Sequence, residues 1–204
     1  MGELARSIIR SLRETVKSCM IGMAEKRDLA LMSKKQFLTK LLHERDKFEL
    51  LLNRVGFTRR MTVKGISGMW SIKDLLAHVM AYEQYLADRM NELAHDEPYI
   101  PCKTQTALDA FLDEFGYPDF GSPLLDDDAP NAWVVEKYRN VALEEVVAQE
   151  IQAFSAIVTA LENMPEEMIE RHSLYARVSR HTVQHYREHA REIKKWMTAN
   201  AAGN

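Results

Sequence analysis

Apolar residues recur along most of this chain at the three- and four-residue spacing of amphipathic helices. The pattern predicts four long helices, over about residues 33–55, 71–95, 131–163 and 173–199. The third is expected to bend near Asn140, and a short helix is expected over about 104–115, ahead of an irregular, exposed segment at 116–130. Period-2 stretches bounded by turns do not occur, so strands are not expected. The predicted fold class is all-α, a four-helix bundle with one long connection.

Serine residues mark the starts of the first two helices. Ser33 is a favourable N-cap, with Gln36 three residues later as in a capping box. Ser71 caps the second helix, and Asp74 in the first turn interacts favourably with the helix dipole. The apolar stripes expected to be buried are Phe37, Leu38, Leu41, Leu42, Phe48, Leu51, Leu52 and Val55 on the first helix, Leu75, Leu76, Val79, Tyr82, Leu86, Met90 and Leu93 on the second, and Val146, Val147, Ile151, Phe154, Ile157, Val158 and Leu161 on the third.

The N-terminal segment precedes the predicted bundle. Its apolar positions recur at near-helical spacing at Leu4, Ile8, Leu12, Val16 and Met20. We expect an extra helix that packs on the bundle or on a second subunit. An upstream translation extension is the alternative, because Met32 and the Ser33 cap make a natural start. The expected organisation is a helical extension over 1–31 and a four-helix bundle domain over 32–204.

Composition limits the partners and the compartment. The formal net charge is -3 with both signs interspersed, so nucleic acid is not expected as a partner. No run of about 18 apolar residues occurs, which predicts no membrane span. The N-terminus carries acidic residues and lacks an apolar signal region. Cys19 and Cys102 share no metal-type spacing and are expected to be free thiols of a reducing compartment, so we expect a cytoplasmic protein.

Three histidines on two helices are the strongest chemical signal in the sequence. His185 and His189 lie four residues apart on the last helix and therefore share one face. His78 lies on or beside the buried side of the second helix, in line with Leu75 and Tyr82. Buried imidazoles without partners are costly, and a divalent metal ion would satisfy them. The alternative is that each is a hydrogen-bonded core histidine.

Other polar residues are candidates for the surroundings of this site. His181 falls on the same arc as the His185 pair, and it is open whether it orients a ligand, is a fourth ligand or is a core histidine. Glu192 can orient an imidazole or act as a base, or it can be a solvated charge paired with nearby basic residues. Residues that can line a pocket are Tyr82, Glu83 and Tyr186. Core packing of the two tyrosines and a surface position of the glutamate are equally open. Surface or capping positions are expected for His43, His95 and His172.

Three motifs resemble those of the DinB/YfiT-like superfamily. The stretch 68–84, which ends in Tyr-Glu-Gln after the histidine, resembles the second-helix motif of that family. The stretch 181–196, from His-Thr-Val-Gln-His to Trp, resembles the last-helix motif. The stretch 131–147 resembles the third helix of a branch that includes the ClbS/DfsB-like bundles. The motifs have the order and separation of the family, and the resemblance covers about residues 33–199.

The resemblance implies an up-down-down-up four-helix bundle with a long crossover, commonly a homodimer. It implies a divalent metal ion, most often nickel or zinc, held by His78, His185 and His189. Members include metal-dependent hydrolases, S-transferases and isomerases that use a low-molecular-weight thiol, and self-resistance proteins. We therefore expect a metal-dependent hydrolase or thiol S-transferase acting on a small molecule. The alternatives are a non-catalytic small-molecule-binding or stress-resistance bundle with structural histidines, and regulation through a partner that docks on the N-terminal helix.

Overall fold

The computed structural model describes residues 28–29, 31–56, 60–66, 68–97, 99–126 and 128–201, and their regular structure is helical without a strand. The helices are α1 (Lys34–Val55), α2 (Ile72–Ala94), α3 (Gln105–Phe115), α4 (Asp128–Lys137), α5 (Leu143–Asn163), α6 (Glu166–Arg171), α7 (Leu174–Ser179) and α8 (His185–Ala201). A 3₁₀ turn occupies Arg60–Thr62, and a π-helical turn at Arg180–Gln184 joins α7 to α8. The all-α prediction is confirmed. The extra N-terminal helix predicted within 1–31 lies almost wholly outside the described residues. Leu29, one of the few described residues of this segment, is buried in the bundle core.

The predicted helix starts are confirmed by their caps. At the start of α1, the Ser33 N–H donates to Gln36 Oε1 (2.9 Å) and the Gln36 N–H donates to Ser33 Oγ (3.3 Å). At the start of α2, the Ser71 N–H donates to Asp74 Oδ2 (2.7 Å) and the Asp74 N–H donates to Ser71 Oγ (3.2 Å). Both reciprocal pairs satisfy backbone donors that a helix N-terminus would otherwise leave unpaired.

Contacts at two levels of the bundle show that α1 and α5 run antiparallel. At one end, Lys34 Nζ near the start of α1 donates to the Met164 carbonyl just after α5 (2.7 Å). Near the middle of both helices, the Arg45 guanidinium pairs with both carboxylate oxygens of Glu150. Going from the first contact to the second, the residue number rises along α1 and falls along α5, so the two helices run in opposite directions.

The last helical segment runs parallel to α1. The rings of Phe37 and Tyr175 stack with centroids 4.3 Å apart, and those of Phe48 and Tyr186 stack at 5.1 Å. The residue numbers rise in the same direction along α1 and along the segment 174–201, so these two elements are parallel. The remaining connection, residues 95–142, is the predicted long crossover and contains α3 and α4.

A lysine at the start of α2 fixes the end of this crossover. Lys73 Nζ donates to the carbonyls of Tyr138 (2.9 Å), Arg139 (2.8 Å) and Val141 (2.8 Å), which lie between α4 and α5. The starts of α2 and α5 therefore lie side by side, which completes the up-down-down-up order. The predicted change of path near Asn140 is confirmed, but the prediction of one continuous helix over 131–163 is wrong. The chain leaves the helical path between α4 and α5, where its carbonyls bond to the ammonium group of Lys73.

Most of the predicted stripe positions form the core, and the exceptions are informative. Leu42 and Ile151 are 44% and 49% exposed, whereas α1 buries Glu44 and Arg45. Arg45 is tolerated inside because its guanidinium pairs with Glu150 and lies 5.1 Å from the ring centroid of Phe154. No helix in the described ranges is both long and apolar enough to cross a membrane.

The crossover has a small core of its own. The prediction that 116–130 is exposed is wrong for Asp119, which is fully buried. Its carboxylate accepts hydrogen bonds from the Tyr99 hydroxyl, the Cys102 N–H (2.8 Å) and the Gly121 N–H (3.1 Å), so it ties the segment together. Cys102 is a buried free thiol, as predicted, and Cys19 lies outside the described residues.

Candidate metal centre

The three histidines singled out in the sequence meet between α2 and the last helix. His78 comes from α2, and His185 and His189 come from the first turns of α8. The Nε2 atoms of His78 and His185 lie 2.7 Å apart, and the ring of His189 has its centroid 5.3 Å from that of His78. One ring nitrogen from each residue falls within 4.8 Å of the others, so the cluster can hold a metal ion.

The surroundings keep two of these imidazoles neutral. Burial, followed by the charge of His189, lowers the pKa of His78 to about 3. Burial and then the neighbouring imidazoles lower the pKa of His185 well below its usual value. Neutral imidazole carries the lone pair that a metal ion requires, so these residues are in the ligand form at physiological pH.

Glu192 contacts the third imidazole. Its Oε2 lies 2.7 Å from His189 Nδ1, and because an ionised carboxylate only accepts, Nδ1 must carry the proton. The lone pair of His189 is then on Nε2, a buried atom with no hydrogen-bond partner in the described structure. A carboxylate behind a histidine in this way fixes the tautomer and raises the basicity of the ligand nitrogen. Of the alternatives open for Glu192, the structure thus favours contact with an imidazole.

His181 does not join the cluster. It lies in the π-helical turn Arg180–Gln184, and its ring stacks on Tyr82 with centroids 5.6 Å apart. Burial, with smaller effects from Arg180 and Arg177, lowers its pKa to about 4. The Tyr82 ring contacts His185 as well, with centroids 5.4 Å apart, so His181 lies beside the cluster without being one of its three grouped imidazoles.

Aromatic rings line one side of the cluster. Tyr82 lies 4.9 Å from the ring of His78 and 5.4 Å from that of His185, as expected for a residue beside the site. Trp70 lies 5.3 Å from His78, and Phe120 of the crossover stacks on Tyr82 at 4.1 Å. Sequence reasoning missed both as site neighbours. The sequence position of Trp70, directly before the N-cap of α2, could have indicated that it lies near His78. No sequence signal indicated that Phe120 would lie near the site.

Tyr186 and Glu83 lie on the core side of the site. Both are almost fully buried, and the Tyr186 hydroxyl donates to the Glu83 carboxyl. Burial, and then the nearby charge of Glu150, raise the pKa of Glu83 well above its usual range. The surface position considered for Glu83 is wrong. The side chain is fully buried, and its carboxyl accepts a hydrogen bond from Tyr186 on a different helix. Core packing, rather than pocket lining, describes Tyr186.

The remaining histidines lie away from the site. His43 is exposed on α1. His95 follows α2, and its Nδ1 donates to the Asn91 carbonyl (2.8 Å). His172 is the residue that follows α6. The prediction of surface or capping positions is confirmed for these three.

Comparison with known proteins agrees with this architecture. An uncharacterised protein from Escherichia coli UTI89 has a similar structure, with a TM-score of 0.55 at 14% identity over 83% of this chain and 95% of that one. A Streptococcus pneumoniae protein solved by a structural genomics consortium gives a TM-score of 0.56 at 12% identity, over 82% of this chain and 91% of that one. At these identities the likeness concerns the fold alone. No curated protein matches the chain. Residues 40–193 match the DinB superfamily, and the chain belongs to that family.

Proposed function

We propose that this protein is a metal-dependent enzyme that acts on a small molecule, with a divalent ion held by His78, His185 and His189. The observation that carries the proposal is the convergence of three imidazole nitrogens within 4.8 Å, from two helices that are far apart in sequence. Family membership supports it, since metal binding is what the motifs of this superfamily imply.

The donor set fits nickel or zinc. Three neutral imidazoles suit both ions, and an all-nitrogen set disfavours magnesium or calcium, which prefer oxygen ligands. The chemistry available at such a centre is Lewis-acid activation, in which the pKa of a coordinated water or thiol falls. The protein residues supply the rest: Glu192 holds the Nδ1 proton of His189, and the ring of Tyr82 shields His78 and His185 from one side.

An open site favours catalysis over a purely structural ion. Catalytic zinc sites use three protein ligands, whereas structural sites use four. The residue best placed in sequence to be a fourth ligand, His181, is instead stacked on Tyr82. We propose hydrolysis, or transfer of a low-molecular-weight thiol to an electrophile, as the reaction. The rings of Trp70, Tyr82 and Phe120 favour a substrate with an apolar or aromatic part beside its reactive group.

A second function is supported by one contact. The Nε2 atoms of His78 and His185 are close enough to share a hydrogen bond at 2.7 Å, and that bond would satisfy two buried nitrogens without an ion. In that case the protein is a non-catalytic bundle that binds a small molecule, for example in stress or self-resistance. The histidines would then contribute to stability alone.

Titration of zinc and of nickel into the tag-free protein separates the two functions. We expect binding by the wild-type chain and its loss in His185→Ala, because two remaining imidazoles cannot form the site. His43→Ala is the matched control, because His43 is an exposed histidine on α1, a helix that supplies no residue of the cluster. Unchanged affinity in His185→Ala, or no binding by the wild type, would reject the enzyme proposal and favour the structural one.

The homodimer, the cytoplasmic location and the division at residue 32 are further proposals that rest on the sequence. Light scattering of the full chain and of a chain lacking residues 1–27 tests the first and the third. The deletion stops before Leu29, because that side chain is buried in the bundle core. Dissociation of a dimer on deletion would assign the N-terminal segment to the subunit interface, and an unchanged number of chains per particle would exclude that role.

A further inference from the structure

The imidazole of His189 has an oxygen atom at its outer nitrogen, because the Glu192 carboxylate lies 2.7 Å from Nδ1. For His185, the backbone carbonyl of His181 in the π-helical turn favours the proton-bearing form of the imidazole, while the buried Nδ1 atom has no partner that meets hydrogen-bond geometry. Metal-binding histidines generally donate their outer N–H to such an oxygen.

For His78 the facing group is the side chain of Asn131 on α4, an element of the crossover. Asn131 Oδ1 and His78 Nδ1 are both buried, and neither has a partner that meets hydrogen-bond geometry. The two side chains nevertheless interact, and the amide favours the proton-bearing form of the imidazole. An amide oxygen can only accept, so a hydrogen bond between the two atoms would satisfy both of them and place the proton on Nδ1.

We propose that Asn131 is a positioning residue whose Oδ1 accepts the Nδ1 proton of His78 and thereby turns the Nε2 lone pair towards the cluster. The inference rests on the metal site proposed above and adds to it a residue from outside the four bundle helices.

A lysine clamp ties the start of α2 to the chain that follows α4. Lys73 Nζ donates to the carbonyls of Tyr138, Arg139 and Val141, and Lys73 lies five residues before His78 on the same helix. One helix therefore supplies the proposed ligand and also contacts the crossover shortly after Asn131.

Two variants remove the acceptor and one retains it. Asn131→Leu has a similar volume without an oxygen, Asn131→Ala removes the amide without adding bulk, and Asn131→Asp keeps an acceptor at the same place. Asn140→Leu is the matched control, because Asn140 is exposed just beyond α4. Circular dichroism and thermal unfolding identify any variant that does not fold, in which case the alanine variant replaces the leucine variant.

Two readouts test the inference. The first is the tautomer of His78 in the metal-free protein, from ¹⁵N NMR of the imidazole nitrogens. We expect the Nδ1–H form in the wild type and in Asn131→Asp, and its loss in Asn131→Leu. The second is zinc affinity measured by competition with a chromophoric chelator. We expect a loss of about 10- to 100-fold in Asn131→Leu and Asn131→Ala, as is usual for residues behind a ligand, and wild-type affinity in Asn140→Leu.

The two proposals fail differently. A folded Asn131→Leu protein with wild-type zinc affinity and an unchanged His78 tautomer would overturn the inference and leave the metal site standing. A wild-type protein that binds no zinc would overturn the proposed function, and the tautomer measurement then decides the Asn131 contact on its own.

Discussion

Replacing Glu192 by glutamine should weaken metal binding without unfolding the protein. The carboxylate accepts the Nδ1 proton of His189 at 2.7 Å, the length of a charge-assisted hydrogen bond, and an amide is a weaker acceptor in the same position. Loss of a partner behind a metal ligand costs about 10- to 100-fold in affinity. The Glu192 side chain is 38% exposed, so solvent screens its charge and the lower end of that range applies. We expect about a tenfold loss, which is about 1.4 kcal/mol.

Chelator competition with zinc provides the assay, with Glu188→Gln as the matched control. Glu188 lies on the same helix and is exposed, so the control changes the same charge near the same ion without touching an imidazole. Glu192→Ala should lose more affinity than Glu192→Gln, since the alanine leaves Nδ1 with no acceptor. Equal affinities in Glu192→Gln, Glu188→Gln and the wild type would refute the reasoning, because the contact would then have no effect on the ligand.

Three further substitutions test the supports of the site. Arg45→Met leaves Glu150 buried without its ion pair and should destabilise the fold by about 3–5 kcal/mol, whereas the double variant with Glu150→Leu should recover most of that loss in a urea titration. The raised pKa of Glu83 means that its contribution to stability is present below the unfolded pKa of 4.5 and is lost as pH rises towards the folded pKa. Glu83→Gln should therefore raise the melting temperature more at about pH 8 than at about pH 5, and an equal change at both would show that the carboxyl titrates normally. Lys73→Met leaves three carbonyls without their donor, so zinc affinity should fall as in Asn131→Leu, and wild-type affinity would show that the clamp does not position α4.

Local sequence signals account for the parts of the fold that were predicted correctly. Capping at Ser33 and Ser71 depends on residues three positions away, and both helix starts are where the spacing places them. The pairing of His185 with His189 depends on a four-residue spacing within α8, and that also holds. The bundle follows from the amphipathic stripes, which leave few ways to bury four apolar faces.

Long-range contacts account for the parts that were missed. The break between α4 and α5 depends on Lys73, which lies 65 residues before the first carbonyl that it bonds. Glu83 and Arg45 lie in register with the apolar stripes of their helices, and their partners on other helices, Tyr186 and Glu150, explain why charged side chains are buried there. The π-helical turn that contains His181 has no signal in composition or period.

The residues that the crossover contributes to the site could not be predicted from the sequence either. Asn131 and Phe120 reach the cluster from a segment whose path cannot be derived from hydrophobic periodicity. Sequence motifs could therefore name the three histidines, but not the residues that surround them. Those neighbours depend on how the crossover packs, which is a property of the tertiary structure.

Elemental analysis of protein purified without a histidine tag tests the central claim most directly. The account predicts about one nickel or zinc ion per chain after incubation with the metal and removal of excess, and almost none in His78→Ala or His185→Ala. A wild-type protein that emerges metal-free under the same treatment, or a His185→Ala protein that retains a full equivalent, would contradict it.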